Sequence, residues 1–97
     1  MKRHEVFLKA IEKWGCRSQY EMAQEEAIEL ALAVRKHIRM NTKETFSHLA
    51  EEIADVKIMI EQMELMNPTL NWAVDEFMKS KIERLERRVT ENNFEGS

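Results

Sequence analysis

The chain has 97 residues with two Gly, one Pro and one Cys; 34% of its side chains are charged and its net charge is −3. A length of this order gives one domain. So few turn residues exclude a strand-rich fold, and a lone Cys16 excludes an intrachain disulfide or a Cys-based zinc site. The mild negative charge excludes a general binder of nucleic-acid polymers or anionic membranes.

Spacing of apolar positions predicts an all-α fold of four helices, at about 4–14, 18–39, 43–66 and 68–91, with a flexible tail over 92–97. The first carries Val6, Phe7, Ala10, Ile11 and Trp14 and ends at Gly15. Ser18 caps the second, with Glu21 at capping-box distance. Its inner stripe is Ala23, Ala27, Leu30, Val34 and Ile38, and Lys36, His37 and Arg39 suit its C-terminal dipole. Asn41 or Thr42 starts the third helix, whose stripe is Phe46, Leu49, Ile53, Val56, Ile60 and Met63. It stops near Met66 because Pro68 disfavours helix at Asn67. Asn67 and Pro68 open the fourth helix. Its buried side is marked by Leu70, Val74, Phe77 or Met78, Leu85 and Val89. Lys79 to Arg88 hold five of the fifteen basic residues.

No stretch approaches the roughly 20 apolar residues of a membrane span. The start, MKRHEVFLKAIEKWG, lacks a signal-peptide apolar run. The expected location is therefore the reducing cytoplasm. A chain this short, with long amphipathic helices, leaves apolar faces that association with further copies would cover.

The second and third helices share a pattern at an offset of 26 residues: EEAIEL from Glu25 and EEIADV from Glu51. Glu26 and Glu29 lie one turn apart along one edge of the second helix's stripe, and Glu52 and Asp55 along the same edge of the third. A short connection makes the two helices antiparallel neighbours, so four carboxylates can meet. Glu25 and Glu51 lie further toward solvent. Clustered carboxylates repel, and a hard divalent cation resolves the repulsion. One EExxE alone is usually solvated surface pairing with Lys or Arg; two in register along one seam point to a metal.

EExxE (Glu25, Glu26, Glu29), 22 intervening residues and then ExxD (Glu52, Asp55) resembles the signature of the MazG-like, all-α nucleoside triphosphate pyrophosphohydrolases. Trp14-Gly15 looks like that family's approach to its first acidic helix, and LAEEIADV (Leu49 to Val56) like its second. The resemblance covers roughly residues 5–90. It implies a four-helix bundle-type module that assembles as a dimer or tetramer. It also implies a Mg²⁺ cofactor, with Mn²⁺ as the alternative ion, and cleavage of a (d)NTP to (d)NMP and pyrophosphate in nucleotide-pool house-cleaning. Glu26, Glu29, Glu52 and Asp55 match the metal ligands and Glu25 the accessory acid. Lys81 and Arg84 match the basic positions that contact phosphates, although Lys79 stands where some relatives carry Asn.

Trp14 is the candidate for stacking on a base, with packing as the plainer role. His48, one turn before Glu52, can orient a carboxylate or simply be a surface side chain. Two alternatives stay open at this point. One is a related pyrophosphohydrolase with a dedicated substrate, of the phosphoribosyl-ATP or dUTP/dCTP type. The other is a non-catalytic helical interaction module.

Overall fold

The computed structural model describes residues 1–91, and every regular element among them is an α-helix. These are α1 (Arg3–Trp14), α2 (Cys16–Met40), α3 (Lys43–Met66) and α4 (Pro68–Thr90). The tail expected to be flexible, 92–97, lies outside the described residues. No helix is long and apolar enough to cross a membrane.

The junctions follow from local chemistry. Gly15, at φ 87°, ends α1 and starts α2 in a single residue. Its N–H donates to the Ile11 carbonyl at 2.8 Å, and its own carbonyl accepts from the Gln19 N–H at 3.2 Å. This corrects the expected start of α2. A glycine turn this tight leaves no linker, so Ser18 falls inside the first helical turn and no side chain caps the helix. Asn41, in the left-handed region at φ 48°, ends α2. Thr42 then caps α3: its Oγ1 accepts from the Thr45 N–H at 3.1 Å, and the Thr45 Oγ1 accepts from the Thr42 N–H at 2.9 Å. Asn67 is extended, as a residue before proline must be, and Pro68 opens α4.

The chain divides into two compact units, Met1–Asn67 and the segment from Pro68 onward. In the first, α2 and α3 form an antiparallel pair whose register is fixed by two side-chain contacts. Gln19 Nε2 donates to Gln62 Oε1 at the α1 end. His37 Nδ1 and Thr45 Oγ1 share a hydrogen bond of 2.8 Å at the α2–α3 turn. Helix α1 packs on both partners, with Phe7, Ala10 and Ile11 half-buried. An exposed Arg3–Glu61 ion pair of 2.7 Å adds a tie at its N-terminal end.

The seam is not where apolar periodicity places it. Its α2 face is Gln19, Ala23, Glu26, Leu30, Ala33 and His37, a run of alternating steps of four and three. The α3 face is Thr45, Leu49, Glu52, Val56, Met59 and Met63, the same run displaced by 26 residues. Among the described residues the buried apolar side chains are Ala33 and Met59, at 2% and 6% exposure, beside buried Gln19, Thr45, Glu52 and Gln62. Six expected core residues, Ala27, Val34, Ile38, Phe46, Ile53 and Ile60, are exposed instead. The apolar arc on each helix is wider than the strip one partner helix can cover. The polar pairs at the two ends of the seam fix which part of that arc turns inward. The leftover apolar rows of α2 and α3 fall on one side of the pair, and Glu25, Glu29 and Glu51 on the other.

The second unit's helix, α4, has Leu70, Ala73 and Val74 half-buried. The expected buried positions Phe77, Met78, Leu85 and Val89 are exposed. A single helix has nothing within its own unit to cover such a stripe.

Candidate metal centre

The two helices bring Glu26, Glu52 and Asp55 together at mid-seam. One carboxylate oxygen from each lies within 4.8 Å of the other two. Glu26 comes from α2, and Glu52 and Asp55, one turn apart, come from α3. Glu52 is buried at 8% exposure, whereas Glu26 and Asp55 are half-buried and border solvent.

Among the described residues no cationic side chain pairs with these acids. The ion pairs among the described residues are Arg3–Glu61, Arg17–Glu21 and Lys79–Glu76, and none of them includes Glu26, Glu52 or Asp55. Glu52 Oε2 is buried without a hydrogen-bond partner among the described residues. The Glu26 carboxyl is held above its ordinary value of 4.5. Burial is the main cause, followed by the Asp55 charge, a proton shared with Asp55, and the charges of Glu52 and Glu29. An orphaned buried oxygen beside two further carboxylates is an unfavourable state for a chain by itself. Three hard oxygen donors on two rigid helices, with an open side for water or phosphate, fit a small divalent cation.

The remaining expected site residues are spread more widely. Glu29 is exposed and outside the trio, though near enough to raise the Glu26 pKa through its charge. Glu25 is exposed on the same flank of α2. Lys81 and Arg84 are exposed on α4, in the second unit. Trp14, 58% exposed at the end of α1, borders a recess of about 290 Å³ with Ser18, Gln19, Met22, Met59 and Gln62. The Lys13 ammonium sits 5.4 Å from its ring centre. Gln19 and Gln62 lie seven residues from Glu26 and Asp55, so this recess is about 10 Å along the seam from the acids.

Apolar periodicity does not reveal the Gln19–Gln62 pair or the His37–Thr45 contact. No family model, curated protein or solved structure matches the chain.

Proposed function

We propose that this chain is a Mg²⁺-dependent pyrophosphohydrolase of the MazG-like type, converting a (d)NTP and water to a (d)NMP and pyrophosphate. The observation that carries the reading is Glu52, buried with an unpartnered Oε2 and grouped with Asp55 of its own helix and with Glu26 across the antiparallel seam. This arrangement favours a bound cation over a hydrogen-bonded polar core. The resemblance of EExxE and ExxD to that family then supplies the reaction.

In this reading Glu26, Glu52 and Asp55 hold the ion directly, and Glu29 joins from the exposed flank. Bound Mg²⁺ supplies charge neutralisation for the triphosphate and lowers the pKa of an attacking water. Glu25, exposed beside the trio and uncommitted to it, accepts the proton of that water. Trp14 offers a ring face to the base at the far end of the recess. The outer phosphates are assigned to Lys81 and Arg84 on the resemblance of the sequence alone.

The apolar row of Ala27, Val34, Ile38, Phe46, Ile53 and Ile60 is the surface that a homo-oligomer would cover in the same reading. Light scattering on the purified chain reports whether it is a dimer or tetramer.

The deciding experiment is pyrophosphate release from a panel of canonical and modified (d)NTPs, with Mg²⁺, with EDTA, and with Glu52→Ala. The expected result is monophosphate and pyrophosphate with Mg²⁺ and intact Glu52 alone. Release that survives EDTA or Glu52→Ala would refute the assignment. No release from any triphosphate by the folded, Mg²⁺-loaded protein would move the reading to a dedicated substrate or to an interaction module.

A further inference from the structure

We infer that α3 carries a second metal position, built by His48, Glu51 and Glu52, for a divalent ion that accepts an imidazole ligand, such as Mn²⁺, Co²⁺ or Zn²⁺. One ligand atom from each of these three side chains lies within 4.8 Å of the other two. The spacing i, i+3, i+4 places all three on one face of a helix 24 residues long, so the set is held by backbone geometry.

The donor set differs from that of the trio formed by Glu26, Glu52 and Asp55. The trio offers oxygen alone, which suits Mg²⁺. The second set adds a ring nitrogen, which suits the later divalent metals.

A cluster of exposed acids with a histidine is common on helices, and two further features separate this one. Glu52 is more than nine-tenths buried, at 8% exposure, and its Oε2 has no partner. It belongs to both sets, and an ionised carboxylate has acceptor capacity on both oxygens. Glu26 and Asp55 are themselves acids, whereas an ion on the His48 side would give the carboxylate with the orphaned Oε2 a partner. The second feature is the state of His48. Its ring makes no hydrogen bond or ion pair among the described residues, although Glu51 and Glu52 are close by. His37 contrasts with it, because Thr45 Oγ1 occupies its Nδ1. His48 also borders a recess of about 410 Å³ with Lys36, Thr42 and Thr45, which gives an ion and its waters a way in.

The inference shares Glu52 with the proposed Mg²⁺ position, but it concerns metal binding and does not require that any nucleotide be cleaved. Shared carboxylates are the usual means of holding two ions roughly 3.5–4 Å apart. His48 and Glu51 would therefore set which ion fills the second place.

The test is a Co²⁺ titration of the full chain, followed by its visible absorption and by calorimetry. It compares wild type with His48→Ala, His48→Gln, Glu51→Gln and Asp55→Asn, each checked for helicity by circular dichroism. Wild type is expected to bind two equivalents. Both His48 variants should weaken one equivalent by tenfold or more and change its absorption band, while Asp55→Asn weakens the other and keeps that band. Two unchanged equivalents in the His48 variants would overturn the inference. So would a single equivalent sensitive to Asp55→Asn and indifferent to His48, which would leave the Mg²⁺ position standing. Absence of Co²⁺ binding to wild type would overturn both.

Discussion

The α2–α3 seam contains three polar places of two kinds. At its ends, Gln19 meets Gln62, and His37 meets Thr45, which is also tied to Thr42. In the middle, Glu26, Glu52 and Asp55 meet one another with a buried oxygen left over. All three places are polar residues on the facing sides of the same two helices, and between them smaller apolar residues such as Ala23 and Ala33 line the same faces. The ends close their hydrogen bonds within the chain, so they act as register pins. The middle does not close, and like charges there oppose folding. Completeness of partnering, more than polarity or burial, separates a structural polar layer from a candidate binding centre.

Substitutions can break that contrast. Glu52→Gln should have the largest effect. If the proposed reaction holds, pyrophosphate release should fall by at least about a hundredfold, while metal-free stability rises by about 1–3 kcal/mol because a buried, unpartnered carboxylate oxygen is removed. Urea unfolding with EDTA measures the second change, and a loss of stability would show that the middle layer is satisfied after all. Gln19→Ala should act in the opposite direction, lowering stability by about 1–3 kcal/mol by stranding buried Gln62. The double change Gln19→Leu with Gln62→Leu should come close to wild type, since both polar partners leave together. Thr42→Ala should lower stability by about 1 kcal/mol through loss of the α3 cap, read as a shift in the urea midpoint with no change in slope.

The smallest effect is a sharpening one. The folded chain holds the Glu26 proton more tightly than the unfolded chain does, because burial and the facing acids raise its pKa above 4.5. Metal-free stability contributed by this group is therefore greatest below that value and falls as pH rises through the raised one. Mg²⁺ at the proposed position would compete with the same proton. The melting-point rise produced by Mg²⁺ should therefore be larger at neutral pH than near pH 5; an equal rise at both would place the ion elsewhere.

Much of this was legible in the residues. Gly15, Thr42 and Pro68 punctuate the chain where turn and capping chemistry puts them, so the helix ends are close to those expected, except where Gly15 left no room for a Ser18 cap. The offset acidic pattern led to Glu26, Glu52 and Asp55, which the fold gathers. The rotation of each helix was not legible. Apolar residues such as Val34 and Ile60 fit helical periodicity as well as the true seam does, and one helix carries more apolar surface than its partner can hide. Pairings between distant residues decide that choice, and Gln19–Gln62 leaves no local trace in sequence. The same rotation explains why Glu29 ended on the exposed flank and Glu52 in the interior.

Gly15 has a mechanical consequence. A Cβ at this position would meet nothing within 4 Å, so space does not demand glycine here and the left-handed φ of 87° does. The bend between α1 and α2 thus turns at the two rotatable bonds of Gly15, and the packing of α1 on α2 and α3 holds it there. Helix α1 is 12 residues long, a lever of about 18 Å, so a swing of about 10° would carry its tip through about 3 Å. The Arg3–Glu61 latch sits at that tip, where leverage is greatest, although a single exposed pair is weak. Trp14 stands beside the fulcrum, where the same swing would displace it least, so the aromatic wall of the recess is the part of the arm best insulated from such a swing.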